Sequence, residues 1–256
     1  MSIEACTALV GTGDPDRFAA AMAAPVPARR VLFPIYAFNL EVARAPWVTA
    51  EPMIAEMRLQ WWRDVLTEIG EDGPVRRHEV ATPLAEAIGP DTALILAGVV
   101  DGRLWDIHDK GFDDTAALWS HLDRTGGTLM WASAHALGAP AETEQLIRNL
   151  GTATALASWF QAIPALEARG KHPLPDGRPG AVQMLAREGR QRLAAARRSR
   201  HGIPRAARPA LYAAWQAGPL LARAAARPET VADGTLALSE FRRRAGLLAC
   251  GLLGRW

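Results

Sequence analysis

A chain of 256 residues with 49% hydrophobic side chains has enough apolar surface to bury one full core, somewhat above the usual single-domain size. It contains no apolar run long enough for a membrane span, and its start, MSIEACTALVGTGDPDR, lacks the basic residues and apolar stretch of a secretory signal, so the expectation is a cytoplasmic protein, at most peripheral at the inner membrane. The net charge of +2 conceals an asymmetry: residues 1–128 hold 11 Lys+Arg against 19 Asp+Glu, and residues 129–256 hold 18 against 8.

Pro and Gly clusters separate Ala- and Leu-rich blocks, and strand-type alternation is scarce. The pattern predicts a single all-α domain over 1–256, a bundle of about eight to ten helices. Asp14-Pro15-Asp16 opens the first block as an N-cap, a Pro at the first helical position and an acid in the first turn. A second helix runs from Ala28 to Arg44, with Arg29 and Arg30 before an apolar run centred on Tyr36-Ala37-Phe38. Taken alone, Tyr36, Phe38 and Leu40 are ordinary core residues.

Residues 53–69 show Ile54, Met57, Trp61, Val65 and Ile69 at helical spacing, the clearest amphipathic stripe in the chain. Trp61 and Trp62 read as core and rim, or as lining of a lipid tunnel. Asp113-Asp114, the only adjacent Asp pair, precedes a helical run over Ala116 to Ala136 and is expected to cap it rather than bind metal.

From Leu150 to Pro175 the chain reads LGTATALASWFQAIPALEARGKHPLP. Gly151, Ala153, Ala155, Leu156, Ala157 and Ala162 offer small faces on which another helix can lie close, and Trp159, Phe160, Ile163 and Leu166 supply bulk. Eight arginines and one acid, Glu188, fall between Arg187 and Arg208; a solvated face is the plain reading, a docking surface through Arg197 and Arg198 the other. In the last helix, over Leu236 to Leu253, Leu238, Phe241, Ala245, Leu248 and Leu252 share a face expected to close the bundle, with a membrane-surface helix as the alternative.

Several chemistries are set aside. The six histidines form no metal-ligand spacing, Cys6 and Cys250 sit near opposite ends and read as packing residues, and no recognition motif accompanies the arginines to indicate nucleic acid.

The ordered segments resemble the squalene/phytoene synthase family. Tyr36-Ala37-Phe38 matches its first signature, Met57-Arg58-Leu59-Gln60-Trp61-Trp62 a further shared stretch, Asp101-Gly102 with Asp106 another, Gly127-Thr128 an Ala-Gly-Thr-type segment, and Leu150-Gly151 through Leu174-Pro175 its second signature. The resemblance implies an isoprenoid synthase-type helical bundle with a central cavity. In that family, three aspartates on one helix, and an Asp with a later Glu-Asp pair on another, hold magnesium against a prenyl diphosphate. Here those positions are Ala43, Arg44, Trp47, Ala162, Ala165 and Leu166. Within the family the chain is most similar to members lacking both aspartate clusters, the respiratory complex I assembly factors and their bacterial relatives, which share Ala-Phe-Asn followed by an acid (Ala37-Phe38-Asn39, then Glu41) and a Pro on the second helix (Pro164).

The resemblance therefore implies a catalytically degenerate protein without catalytic residues, metal or cofactor, binding a protein partner, with an isoprenoid or quinone-like molecule as a further candidate ligand, and no nucleic acid. Expected cavity-lining residues are Tyr36, Phe38, Trp61, Trp62, Gly127, Leu156 and Phe160. Expected diphosphate or partner contacts are Arg29, Arg30, Arg44, Lys171, Arg197 and Arg198. The alternatives are a magnesium-dependent head-to-head prenyltransferase with displaced ligands such as Asp64, Asp101 and Asp106, and a plain isoprenoid-binding module.

Overall fold

In the computed structural model, which describes residues 3–49, 51–108 and 111–254, α1 (Ile3–Gly13) is followed by α2 (Pro15–Met22), α3 (Val26–Arg44) and α4 (Pro52–Gly70). The Asp14 carboxylate accepts from the Arg17 N–H at the start of α2, as the Asp-Pro-Asp order predicts. Next come α5 (Ala81–Ala87), α6 (Pro90–Gly102), the single turn α7 (Leu104–Ile107), α8 (Thr115–Leu122) and α9 (Thr128–Ala136). Asp114 caps α8 by accepting from the Ala117 N–H, so the Asp pair is a helix start.

The chain then forms α10 (Glu144–Glu167), α11 (Pro179–Arg198), α12 (Ala217–Ala226), α13 (Glu229–Ala232) and α14 (Glu240–Leu253). The expected eight to ten helices thus resolve into fourteen α segments among the described residues, because one- and two-turn pieces such as α5, α7 and α13 stand as separate elements. Pro164 does not end α10; it sits within its last turn, where few further backbone bonds depend on it.

The run expected over 116–136 is interrupted. At Asp123–Gly127 the helix widens to an i→i+5 turn, the Thr128 N–H reaching the Asp123 carbonyl. That turn packs against the small face of α10. A Cβ on Gly151 would stand 2.6 Å from the Gly126 carbonyl oxygen and 2.9 Å from the Gly127 Cα, and one on Gly126 would collide with Ala155. The glycines let two backbones touch, and α10, the longest helix, becomes the post around which α8, α9, α11, α12 and α13 are arranged.

Two expected faces are rotated. In α4, burial falls on Ala55, Leu59, Trp62, Val65, Leu66 and Ile69, while Ile54 and Met57 point to solvent. In α14, Phe241, Ala245, Leu248 and Leu252 face outward, and Cys250 with part of Leu247 supplies the packed side.

Cys6 and Cys250 are both buried and neither is in a disulfide. Burial pushes the Cys6 thiol up to about 11 and the Cys250 thiol up to about 12. Thiols held in that range present almost no thiolate at neutral pH. The native protein is therefore expected to give no fast phase with an aromatic disulfide reagent at pH 8 and to release two equivalents only on unfolding in guanidinium; fast titration of either thiol while the protein is folded would contradict the packing.

Candidate functional site

The C-terminal end of α3 and the 3₁₀ turn Ala45–Trp47 form one wall of a cavity of about 350 Å³, and α10 forms another. Ala43 and Trp47 project from the first, Ala162, Ala165 and Leu166 from the second. Five of the six positions where the family resemblance places carboxylates therefore converge on one space. The sixth, Arg44, turns away, its guanidinium lying close beside Gly13.

Three arginines reach this space. Arg17 enters from α2, paired with Asp14 and lying 5.9 Å from the centre of the Tyr36 ring. Arg169 lies beyond α10 with its guanidinium 4.8 Å from the centre of the Trp47 indole, and the Lys171 ammonium approaches the same ring at 5.9 Å. Arg103, at the entry to α7, donates to Asp106 at 3.1 Å.

Asp106 is the one carboxylate on the cavity wall among the described residues, and it is buried. Its other oxygen faces the His121 Nε2 at 3.9 Å. His121 stands in an aromatic box: Trp105, Phe112 and Trp159 have ring centres 5.0, 5.4 and 5.1 Å from its own, and Trp105 stacks flat on Phe112 at 4.1 Å. Trp159 is pinned by a 2.9 Å hydrogen bond from its indole N–H to the Pro173 carbonyl. Burial lowers the His121 pKa to about 4; Asp106 opposes this and Arg103 reinforces it. The imidazole is thus neutral at physiological pH, with its Nε2 lacking a hydrogen-bond partner among the described residues.

This donor set does not fit a magnesium–diphosphate centre. Such a centre needs several anionic oxygen ligands around octahedral cations, whereas the wall carries three arginines, the neutral side chains of Asn39, Thr125 and Ser158, indoles, leucines and alanine methyls, and among the described residues a single carboxylate already engaged by an arginine. Among the described residues no three acidic, His or Cys side chains gather at metal-binding distance. The displaced ligands considered from sequence do not assemble either. Asp101 is held outside by Arg63 at 2.6 Å, and Asp64 accepts from Gln60 at 2.8 Å with Arg76 at 3.8 Å.

Most of the expected cavity-lining residues lie elsewhere. Phe38 is fully buried and meets Trp62 edge-on at 5.2 Å. Trp61 and Trp62 border an outer pocket with Glu41, Arg58 and His78. Leu156 is core packed against Gly189 of α11, Phe160 is fully buried, and Tyr36 lines only a narrow crevice behind Arg17. Gly127 is spent on the contact with α10, and its neighbour Gly126 faces the cavity instead. The common reason is helix rotation: these bulky residues are drawn into contacts between helices, which leaves small side chains on the open face.

Of the expected cationic contacts, Lys171 stands beside the cavity at Trp47. Arg29 donates to the Ala24 carbonyl, Arg30 lines a separate surface pocket beside Glu86, Arg197 lies against Gly218, and Arg198 is exposed at the end of α11. Sequence reasoning missed Arg17, Asn39, Arg103, Trp105, Trp159 and Arg169 on the cavity wall and around His121. The one available signal was the Arg103–Asp106 spacing of a single turn.

A family model described as squalene/phytoene synthase matches residues 10–177 of this sequence. The chain belongs to the squalene/phytoene synthase family. Its backbone is similar to the crystal structure of a dehydrosqualene synthase in complex with ligand, with a TM-score of 0.78 and 14% identity over 96% of this chain and 94% of that one. The fold is therefore the single-domain, all-α isoprenoid synthase type. Among curated relatives, NADH dehydrogenase (ubiquinone) complex I, assembly factor 6 is 25% identical in Homo sapiens and 24% in Bos taurus and Mus musculus. Each match extends over 173 residues, 66% of this chain and 52% of the relative, so the chain spans about half the length of the curated relatives it matches. No helix among the described residues is long and apolar enough to cross a membrane.

Proposed function

We propose that this member of the squalene/phytoene synthase family is a non-catalytic factor that binds a protein partner and assists assembly of a respiratory complex of the NADH dehydrogenase type. The observation that carries this is the chemistry of the cavity wall: Ala43, Trp47, Ala162, Ala165 and Leu166 meet in one space with no oxygen ligand among them. Ionising a prenyl diphosphate requires neutralising a leaving group of about three negative charges, work done in catalytic sites by clustered metal and charge. Here Asp106 is committed to Arg103, and among the described residues no three acidic, His or Cys side chains gather to hold a cation. The similarity to complex I assembly factor 6 supports the same reading from outside the site.

In this role the protein needs neither metal nor cofactor and works on the cytoplasmic side, peripheral to the inner membrane. The cavity itself favours a second role beside the first. About 350 Å³ walled mainly by Leu122, Leu129, Trp159 and alanine methyls suits an apolar isoprenoid or quinone-like tail.

The test is calorimetric titration with farnesyl thiodiphosphate, with and without magnesium, of the wild type and of an Ala43→Asp/Trp47→Asp/Ala162→Asp/Leu166→Asp variant. The wild type is expected to show no magnesium-dependent heat. Magnesium-dependent binding by the wild type, followed by prenyl transfer, would overturn the non-catalytic reading. In cells deleted for the gene, native gels are expected to show depleted NADH dehydrogenase complex, restored equally by wild type and by an Asp106→Asn variant.

A further inference from the structure

The last helix carries its apolar face on the wrong side for a core element. Ser239 caps its start by accepting from the Arg242 N–H, and Gly254 closes it in the left-handed conformation that glycine tolerates. It is anchored along one edge only: Arg243 pairs with Asp16 of α2 at 2.6 Å, Gly246 approaches Trp215, Gly251 approaches Ala23, and Cys250 is buried. On the opposite edge Phe241, Leu248 and Leu252 are 81, 62 and 74% exposed, with Ala245 between them. The spacings of four, three and four set these side chains in one row along the helix.

Charge identifies what such a row meets. At helical periodicity Arg242 and Arg244 fall on either flank of the row, and both are exposed. At the arginine-rich end of α11, Arg198 and Arg200 stand exposed. An exposed apolar ridge flanked by arginines, on the basic half of the chain, is complementary to a surface that is anionic outside and apolar just beneath.

We infer that α14 is an interfacial anchor that lays Phe241, Leu248 and Leu252 into the headgroup region of an anionic lipid bilayer while Arg242 and Arg244 meet lipid phosphates. The helix lies on the membrane and does not span it. The inference stands on the exposed face of α14 and is independent of what the cavity binds.

The test is co-sedimentation of the full chain with vesicles of phosphatidylcholine mixed with phosphatidylglycerol, beside vesicles of phosphatidylcholine alone. Binding is expected to the mixed vesicles only and to weaken as salt is raised. Phe241→Asp and Leu248→Asp are each expected to reduce the partition coefficient about tenfold or more, and Arg242→Glu/Arg244→Glu to remove the preference for anionic lipid. All these positions are exposed, so the variants should melt with the wild type by circular dichroism. Absence of binding to both vesicle types at low salt would overturn the inference, as would binding unchanged by Phe241→Asp and Leu248→Asp. Concentration-dependent self-association abolished by Leu248→Asp, without vesicle binding, would assign the face to a second copy of the chain instead.

Discussion

Gly151→Ala is expected to lower the thermal midpoint by about 10 °C, the effect of roughly 3 kcal/mol on a protein of this size. The new methyl would stand 2.6 Å from the Gly126 carbonyl oxygen, 2.8 Å from the Met130 Cβ and 2.9 Å from the Gly127 Cα. Two of these three neighbours are backbone atoms, which cannot swing aside as the end of a side chain can. Relief requires α10 to move off the Asp123–Gly127 turn, which would open the cavity wall at Gly126 and Ala155 and loosen the ion pair of Arg148 with Asp123 at 2.5 Å. Gly89→Ala is the control: no atom lies within 4 Å of the added carbon and the backbone there is extended, with φ −92°. Its midpoint should stay close to the wild type by scanning calorimetry. Equal midpoints for the two variants would mean that the helices do not touch at Gly151.

The second large effect is on pH dependence. Burial holds the folded His121 pKa at about 4 against 6.5 for an unperturbed imidazole. Between these values the unfolded chain binds a proton that the folded protein refuses. Stability is therefore complete above pH 6.5 and is lost as pH falls through the window toward 4, by on the order of 3 kcal/mol from this residue. His121→Phe keeps an aromatic ring in the box formed by Trp105, Phe112 and Trp159 and removes the titration together with the unpartnered Nε2. Urea unfolding of both proteins between pH 7 and pH 4 should show the variant gaining on the wild type as pH falls. If Asp106 overrode burial and held His121 protonated, the wild type would instead gain on the variant, and parallel profiles would mean that the histidine does not titrate on unfolding.

The features legible before the fold was known share one property: each is decided within a few residues. Asp14 and Asp114 cap helices because a short carboxylate reaches the backbone N–H three positions on. The small face of α10 was visible as Gly151, Ala155 and Ala162, and the loss of acidic side chains at 43, 47, 162, 165 and 166 is a matter of identity at each position. What failed was the choice of face. In α4 the stripe through Ile54 and Met57 competes with an equally apolar one through Ala55, Leu59 and Trp62, and periodicity alone does not rank them. The box around His121 was invisible for a different reason. Its rings come from α7, the segment before α8, and α10, the last of which lies tens of residues further along the chain.

The sequence by itself determined the all-helical class, the helix starts at Asp14 and Asp114, and the absence of carboxylates at the six positions where the family resemblance places them, because propensity, capping and side-chain chemistry are local. Only the tertiary structure decided that five of those six positions share a cavity, that Asp106 is tied to Arg103 within it, and that the apolar row of α14 looks outward. Those outcomes depend on how α10 is rotated against the Asp123–Gly127 turn and how α14 is pinned by Arg243 to Asp16, contacts between residues 25 and more apart in the chain.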